Sequence, residues 1–575
     1  MKLLWLFSRA YPARSLTMLG CLLLAAVAEG LGLSTVLPLL GLVANKDPAT
    51  SESEVSRTVS QVVTSIGLEP TLGTLLSLVV AALFLKAALV LLAQRQIGYT
   101  VAHVATDLRL ELVRTLLGSR WGYYVRKPVG TLANAFATEA LRASQAYLYG
   151  ATNVSLTIQA LVYSGVAIAT SWQATAGALG LGLFTILLLN RFVRMTRRAG
   201  ARQTRLLKDI LARLTDVLYA VKPLKAMARE TLVGPLLEHR TQRLNRALQR
   251  EVLSKEALNA LHEPFLVATI GVGLYVAVTR WELPIDQVML LALLFGRLLG
   301  HLQKIQKNHQ RVVACDSAYW SIRETIDEAA AAREPAIGTA PVSLTREIAL
   351  RDVVLKYGDN KVLDHASLVI PKGQVTVIIG PSGAGKTSIV DLVTGLVRPE
   401  SGEVYVDDVA LEQADIKAWR RKIGYVPQET FLLHESVAVN VTLGDPELGR
   451  DVVEATLKEA NAWEFVASLP EGIDTVVGER GAAMSGGQRQ RIAIARALAH
   501  TPDLVVLDEA TASLDPKSEA EICATVKRLR GRMTVLAVSH QPALLGVADK
   551  VYRLEAGKVR EVGAGERQHS LREIA

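Results

Sequence analysis

The chain has 575 residues, 50% of them hydrophobic and 21% charged, and a mean hydropathy of +0.26. That balance excludes a disordered chain and is too apolar for an ordinary soluble enzyme of this length. Lys and Arg number 64 against 55 Asp and Glu, a net +9. The three cysteines, Cys21, Cys315 and Cys523, lie too far apart for a disulfide framework or a cysteine metal site.

From the N-terminus, Met1 to Arg14 (MKLLWLFSRAYPAR) reads as a short amphipathic helix on a membrane surface rather than a signal peptide, because no A-x-A cleavage site closes the apolar run that follows. Apolar stretches long enough to cross a bilayer, at about 20 residues each, fall at 15–43, 71–94, 146–170, 174–192, 257–279 and 284–303. From Ala143 to Asn190 there is no charge at all, so this run holds two spans with Ser171-Trp172-Gln173 as the turn between them. The fifth span is expected to be broken at His262-Glu263-Pro264, and the sixth follows Pro284.

The segments 95–142 and 191–255 are dense in Arg and Lys, whereas 46–70 is acid-rich. The positive-inside rule therefore places both termini and both long loops in the cytoplasm. The same rule accounts for the basic excess, so no nucleic-acid partner is expected. Leu206, Ile210, Leu214 and Leu218 recur at helical spacing, which extends these helices beyond the bilayer. Glu29, Lys86, Glu263 and Arg297 lie within the predicted spans, where a charge needs a partner or water. They read either as a cavity meeting a polar part of a cargo or as interhelical ion pairs. Gly177, Gly180 and Gly182 read as sites of close helix packing.

Residues 1–327 thus form an α-helical polytopic membrane domain of six helices with long cytoplasmic extensions. Residues 328–343, rich in Ala, Pro and Gly, form a linker. Residues 344–575 change texture to short β-branched runs, Val375–Ile379, Leu504–Leu507 and Val535–Val538, alternating with helical patterns: an α/β domain.

Gly380-Pro381-Ser382-Gly383-Ala384-Gly385-Lys386-Thr387, followed by Ser388, fits the phosphate-binding loop and comes directly after the strand Val375–Ile379. Glycines let backbone N–H groups turn toward phosphates, and the next helix begins with its positive dipole end there. Lys386 is placed to reach the β/γ-phosphates and the Thr387 hydroxyl to ligate Mg²⁺. The run Leu504 to Leu507 ends in Asp508 and Glu509. The first carboxylate is placed to hold Mg²⁺ and the second to orient or deprotonate water. ATP and Mg²⁺ are the expected cofactors of this triphosphatase.

Met484-Ser485-Gly486-Gly487-Gln488 closely resembles the LSGGQ signature of ATP-binding cassette proteins, with Met for the usual Leu. Other cassette elements occur in the same order. The resemblance implies that Tyr357 stacks on adenine and that Gln428, in Val426-Pro427-Gln428-Glu429, is the Q-loop glutamine and a metal ligand. It also makes Ala512-Ser513-Leu514-Asp515 a D-loop and His540 the switch histidine, which with Glu509 and Gln428 completes the catalytic set. Val477-Gly478-Glu479-Arg480-Gly481 resembles the exporter X-loop. With six preceding spans the whole chain resembles a type I, exporter-type half-transporter.

That resemblance implies a homodimer of two head-to-tail cassettes, with Ser485 and Gly487 of one closing over ATP held by Lys386 of the other. ATP binding would favour an outward-facing state, and an amphipathic cargo would leave the cytoplasmic side of a bacterial inner membrane. Ala28-Glu29-Gly30-Leu31-Gly32-Leu33 through Val36-Leu37-Pro38-Leu39-Leu40 resembles flippases of lipid-linked oligosaccharides. Lipid, lipid-linked glycan, peptide and drug-like cargo all stay open. The absence of a peptidase domain before the first span argues against a leader-cleaving peptide exporter. An importer, and a membrane ATPase that regulates a partner, are the alternatives; the six spans exclude a DNA-repair ATPase.

Overall fold

Apolar helices that share a bilayer gain little from burying Leu against Leu, so they associate through small residues and through hydrogen bonds between helices. Both devices organise the N-terminal half. In the computed structural model, which describes residues 9–36, 38–39, 54–65, 67, 69–280, 285–335, 338–478, 481, 483–511, 514–539, 541–563 and 566, the chain divides into two compact units. One comprises Met1–Ser119 with Tyr123–Arg333, the other Arg120–Gly122 with Glu334–Ala575.

Among the described residues the first unit contains six long helices: α1 Pro12–Ser34, α2 Leu72–Leu117, α3 Ala140–Thr170, α4 Trp172–Tyr219, α5 Glu230–Thr279 and α6 Ile285–Ala331. Among the described residues, Pro12–Ser34, Leu72–Leu117, Val129–Thr170 and Val288–Ala331 are long and apolar enough to cross a membrane. At 1.5 Å per residue, α4 and α5 are each more than twice as long as a hydrocarbon core of about 30 Å. Thr71 and Thr74 cap the start of α2 reciprocally. Ser171 separates α3 from α4, its hydroxyl accepting the Ala174 N–H at 3.4 Å.

Packing is pairwise: α1 lies chiefly on α2, α3 on α6 and α4 on α5. Small residues on α3 (Ala140, Ala143, Ala146, Ala151) admit Tyr319, Ile322 and Ile326 of α6 into one buried cluster.

Three expectations change here. The helix does not break at His262-Glu263-Pro264; α5 runs through both Pro235 and Pro264. A proline removes one hydrogen bond and bends a long helix without ending it when neighbouring turns stay paired. Among the described residues, Gly177 and Gly180 have nothing within 4 Å of where a Cβ would stand, and of the three only Gly182 meets a neighbour, Leu302 at 3.1 Å. The linker starts later than its composition suggests, because α6 continues to Ala331.

The intramembrane charges sort in two. Glu29 on α1, 3% exposed, pairs with Lys86 on α2 and accepts the Tyr163 hydroxyl from α3. The Tyr163 ring meets His301 of α6 edge-on at 5.1 Å, and His301 Nε2 lies 2.8 Å from Gln159 Oε1. One polar chain therefore joins four helices. Glu263 and Arg297 are exposed.

The second unit is built on two sheets. Strands β1 Glu347–Tyr357, β2 Asn360–Pro371, β3 Val375–Ile379, β4 Ser401–Val406, β5 Val409–Ala410, β6 Ile423–Val426, β7 Leu504–Asp508, β8 Thr534–Val538, β9 Lys550–Glu555 and β10 Lys558–Glu561 form them. A six-stranded sheet runs β10-β9-β3-β8-β7-β6, parallel except for the β9–β10 edge pair. Its central strands β3, β7 and β8 are buried throughout, as continuous apolar runs in a parallel sheet should be. The antiparallel sheet β2-β1-β4-β5 was not anticipated from the sequence; bulges interrupt the alternation of β1.

Candidate nucleotide site

In an open parallel sheet, ligands bind beyond the carboxyl ends of the strands. The glycine-rich loop leaves β3 at that edge and enters helix α7 Lys386–Val393. Two of its glycines are obligatory. Gly380 has φ +153° and a Cβ there would fall 2.2 Å from the Leu554 carbonyl oxygen; Gly385, the N-cap of α7, has φ +103° and would strike Val362. Pro381, Ser382 and Gly383 form the exposed crest of the loop, Ala384 and Gly385 its half-buried return, while Ser388 is buried inside α7.

Lys386 is only 5% exposed, and its ammonium donates to the carbonyls of Gly380 at 2.8 Å and Pro381 at 3.0 Å. It lies 3.8 Å from Glu509 Oε1. Gln428, just beyond β6, donates its amide to Glu509 Oε2 at 2.7 Å. Glu509 itself sits in the left-handed region at φ +48°, with its N–H bonded to the Val538 carbonyl at 2.9 Å. At the tip of β7, Asp508 approaches the Thr387 hydroxyl at 3.5 Å and accepts the Tyr425 hydroxyl at 3.3 Å. Five expected residues, Lys386, Thr387, Gln428, Asp508 and Glu509, thus meet at one sheet edge.

Burial pushes the Asp508 carboxyl above the usual carboxylate range. The Tyr425 hydrogen bond works against that shift, and the Glu509 charge adds to it. Asp391, one turn after Thr387 on α7, is raised to about 6, first by burial and then by the charge of Asp508.

The N-terminal and C-terminal halves each match a known family. Residues 22–302 match the ABC transporter transmembrane region family and residues 363–512 the ABC transporter family. The chain is 30% identical over 497 residues to the ATP-dependent lipid A-core flippase of Burkholderia pseudomallei, covering 82% of this chain and 81% of that protein. The chain belongs to the ABC transporter family.

It is an integral membrane protein that binds ATP and couples its hydrolysis to transport, with exporter architecture. Another relative is the heterocyst differentiation ATP-binding protein HepA of Nostoc sp., 27% identical across 80% of this chain and 76% of its relative. A bacterial Atm1-family ABC exporter with ATP bound shares the fold, with a TM-score of 0.79, 19% identity and 97% of each chain covered.

The stretch that resembles the ABC signature opens a different helix of the ATPase unit. Ser485 is the N-cap of helix α8 Gly486–Leu498 and forms a reciprocal capping box with Gln488, at 3.2 Å and 2.9 Å. Gly487 packs so tightly that a Cβ would stand 2.4 Å from the Ser518 hydroxyl. Met484, where Leu is usual, is buried in the same ATPase core cluster as Leu432 and Val477. Among the described residues, no hydrogen bond or ion pair joins Ser485, Gly486, Gly487 or Gln488 to the group around Lys386. Tyr357 ends β1 and is 49% exposed, outside the buried core. Asp515, in the stretch that resembles a D-loop, caps helix α9 Pro516–Leu529. His540, Ala512, Ser513, Glu479 and Arg480 lie outside the described residues.

Reading the sequence alone missed Tyr425 and Asp391. Asp391 was within reach, since four residues from Thr387 is one helical turn on the same face. For Tyr425 the signal was alternation along β6, which turns Tyr425 and Val426 to opposite faces.

Proposed function

We propose that the protein is a homodimeric flippase that moves a lipid or lipid-linked glycan from the cytoplasmic to the outer face of a bacterial inner membrane. The observation that carries this reading is the likeness to lipid A-core flippases along four-fifths of both chains. A membrane domain at 1–331 with spans near 15–43, 71–94, 146–170, 174–192, 257–279 and 284–303, a linker at 332–343 and a cassette at 344–575 are the boundaries we infer. Both termini and the cassette are cytoplasmic, in keeping with the basic loops.

At the cassette, Tyr357 stacks on adenine. The loop from Gly380 to Gly385, with Lys386, Thr387 and Ser388, cradles the phosphates. The hydroxyl of Thr387, the carboxylate of Asp508 and the amide oxygen of Gln428 are hard oxygen donors and suit Mg²⁺. Because a carboxylate only accepts, the Gln428 NH₂ must face Glu509, leaving Oε1 for the cation. Bound there, Mg²⁺ would neutralise charge developing between the β- and γ-phosphates. Glu509 then takes the proton of the attacking water, while His540 steadies the γ-phosphate side.

Ser485, Gly486, Gly487 and Gln488 act on the nucleotide of the other copy. The lack of any bond from them to the Lys386 group, among the described residues, supports this reading, and so does the helix N-terminus they provide, since such an end favours anions. Two-fold symmetry gives two equivalent composite sites. ATP joins the cassettes, hydrolysis releases them, and the long helices carry the movement to the spans.

Reconstitution into vesicles holding a fluorescent lipid with a sugar or phosphate headgroup tests the reading. ATP with Mg²⁺ should speed loss of quencher-accessible probe from the leaflet facing the cassettes. Brisk ATP hydrolysis with no lipid movement, for every headgroup tried, would favour a role in regulating a partner.

A further inference from the structure

The Asp508 carboxylate is held from two sides by residues of different elements. Thr387, on the first turn of α7, lies 3.5 Å from Oδ1, and Tyr425, on β6, donates to Oδ2 at 3.3 Å. The reach of Tyr425 is fixed by strand register: β6 and β7 are parallel neighbours, with Tyr425 opposite Val506, so its hydroxyl extends two residues along to the tip of β7. The opposite face of β6 is pinned as well, since a Cβ on Gly424 would fall 2.2 Å from the Ala497 carbonyl oxygen. The same strand leads three residues later to Gln428, whose amide holds Glu509 at 2.7 Å. β6 therefore delivers one donor to each of the two consecutive carboxylates.

We propose that Tyr425 is a positioning residue for the metal half of the ATP site. By occupying Oδ2 it keeps Oδ1 of Asp508 turned toward the Thr387 hydroxyl, where the two would share a divalent cation. A carboxylate free to rotate presents either oxygen or both, whereas Mg²⁺ demands near-ideal octahedral geometry and tolerates such freedom poorly. Hydrogen bonds to ligating carboxylates fix that choice, and their loss typically costs about 10–100-fold in metal affinity or activity. The hydroxyl, rather than the ring, carries this role, so phenylalanine is the informative replacement. The inference rests on the assignment of Asp508 and Thr387 to the cation.

The test uses the full-length protein in lipid nanodiscs, comparing wild type, Tyr425→Phe and Asp508→Ala. Free Mn²⁺ is counted by electron paramagnetic resonance during titration in the presence of ADP, and the affinity for a fluorescent ATP analogue is measured separately in EDTA. Tyr425→Phe should weaken Mn²⁺ binding about tenfold, leave metal-free nucleotide affinity unchanged, and shift half-maximal ATPase to higher Mg²⁺. If Tyr425→Phe binds Mn²⁺ like wild type while Asp508→Ala does not, the positioning role is wrong and the site reading stands. If nucleotide affinity falls equally with and without metal, Tyr425 is a packing residue. If Asp508→Ala also leaves Mn²⁺ binding intact, the metal assignment beneath the inference fails with it.

Discussion

At the end of β7 the backbone turns left-handed at Glu509, a conformation a non-glycine residue adopts at a cost of about 1–3 kcal/mol. The bond from its N–H to Val538 holds the turn, and Gln428 and Lys386 hold the side chain. Glu509→Gln preserves that shape but removes the group that can accept a proton. Hydrolysis by the purified variant should fall by about 10²–10⁴-fold, with affinity for ATP in EDTA unchanged. Normal turnover would mean that another group orients the water. Lys386→Ala should instead lose both hydrolysis and nucleotide affinity, because it removes the cation aimed at the β/γ-phosphates; a filter-binding assay separates the two variants.

Elements carry the next order of organisation. The Glu29–Lys86 pair links α1 to α2 inside the first unit, and Tyr163 ties both to α3. Removing one charge of a buried pair leaves the other uncompensated, a loss of about 3–5 kcal/mol that replacing both partners largely avoids. Lys86→Met should therefore lower the unfolding temperature more than the Glu29→Gln, Lys86→Met double variant; the reverse order would deny the pair a structural role.

In the ATPase unit, Asp407 turns β4 into β5 and accepts the N–H groups of Thr345, Arg346 and Glu347 at 2.7, 2.8 and 2.9 Å. Burial pushes its carboxyl up, but the Thr345 hydroxyl and these three donors outweigh that and hold it at about 2. A depressed carboxyl stabilises fully above its unfolded value near 4 and loses that contribution as pH falls toward 2. Asp407→Asn should cost about 1 kcal/mol at neutral pH, discounted for this exposed turn. Thermal melting would reveal it.

What could be read from the sequence depended on whether the partners were neighbours in the chain. The loop from Gly380 to Thr387 and the pair Asp508–Glu509 are contiguous, so their chemistry was visible in residue order. Tyr425 meets Asp508 only through the register of β6 with β7, and Glu29 meets Lys86 only through helix packing. Pro264 does not end its helix, because the turns on either side of it in the 50 residues of α5 continue the helix.

For the molecule as a whole, the proposed head-to-tail dimer sets the central claim: each ATP site is completed by a second copy. Mixing Lys386→Ala with Ser485→Arg protomers gives heterodimers in which one site carries both lesions and the other neither. Such dimers should retain about half the wild-type hydrolysis if sites are composite and independent, while each mutant homodimer is inactive. Distances between spin labels on the two cassettes of the Glu509→Gln protein, with and without ATP and Mg²⁺, test that claim most directly. The account predicts a short separation with nucleotide, a longer one without it, and no shortening when Ser485→Arg is added. Unchanged distances on ATP binding, or equal closure in the Ser485→Arg protein, would contradict it.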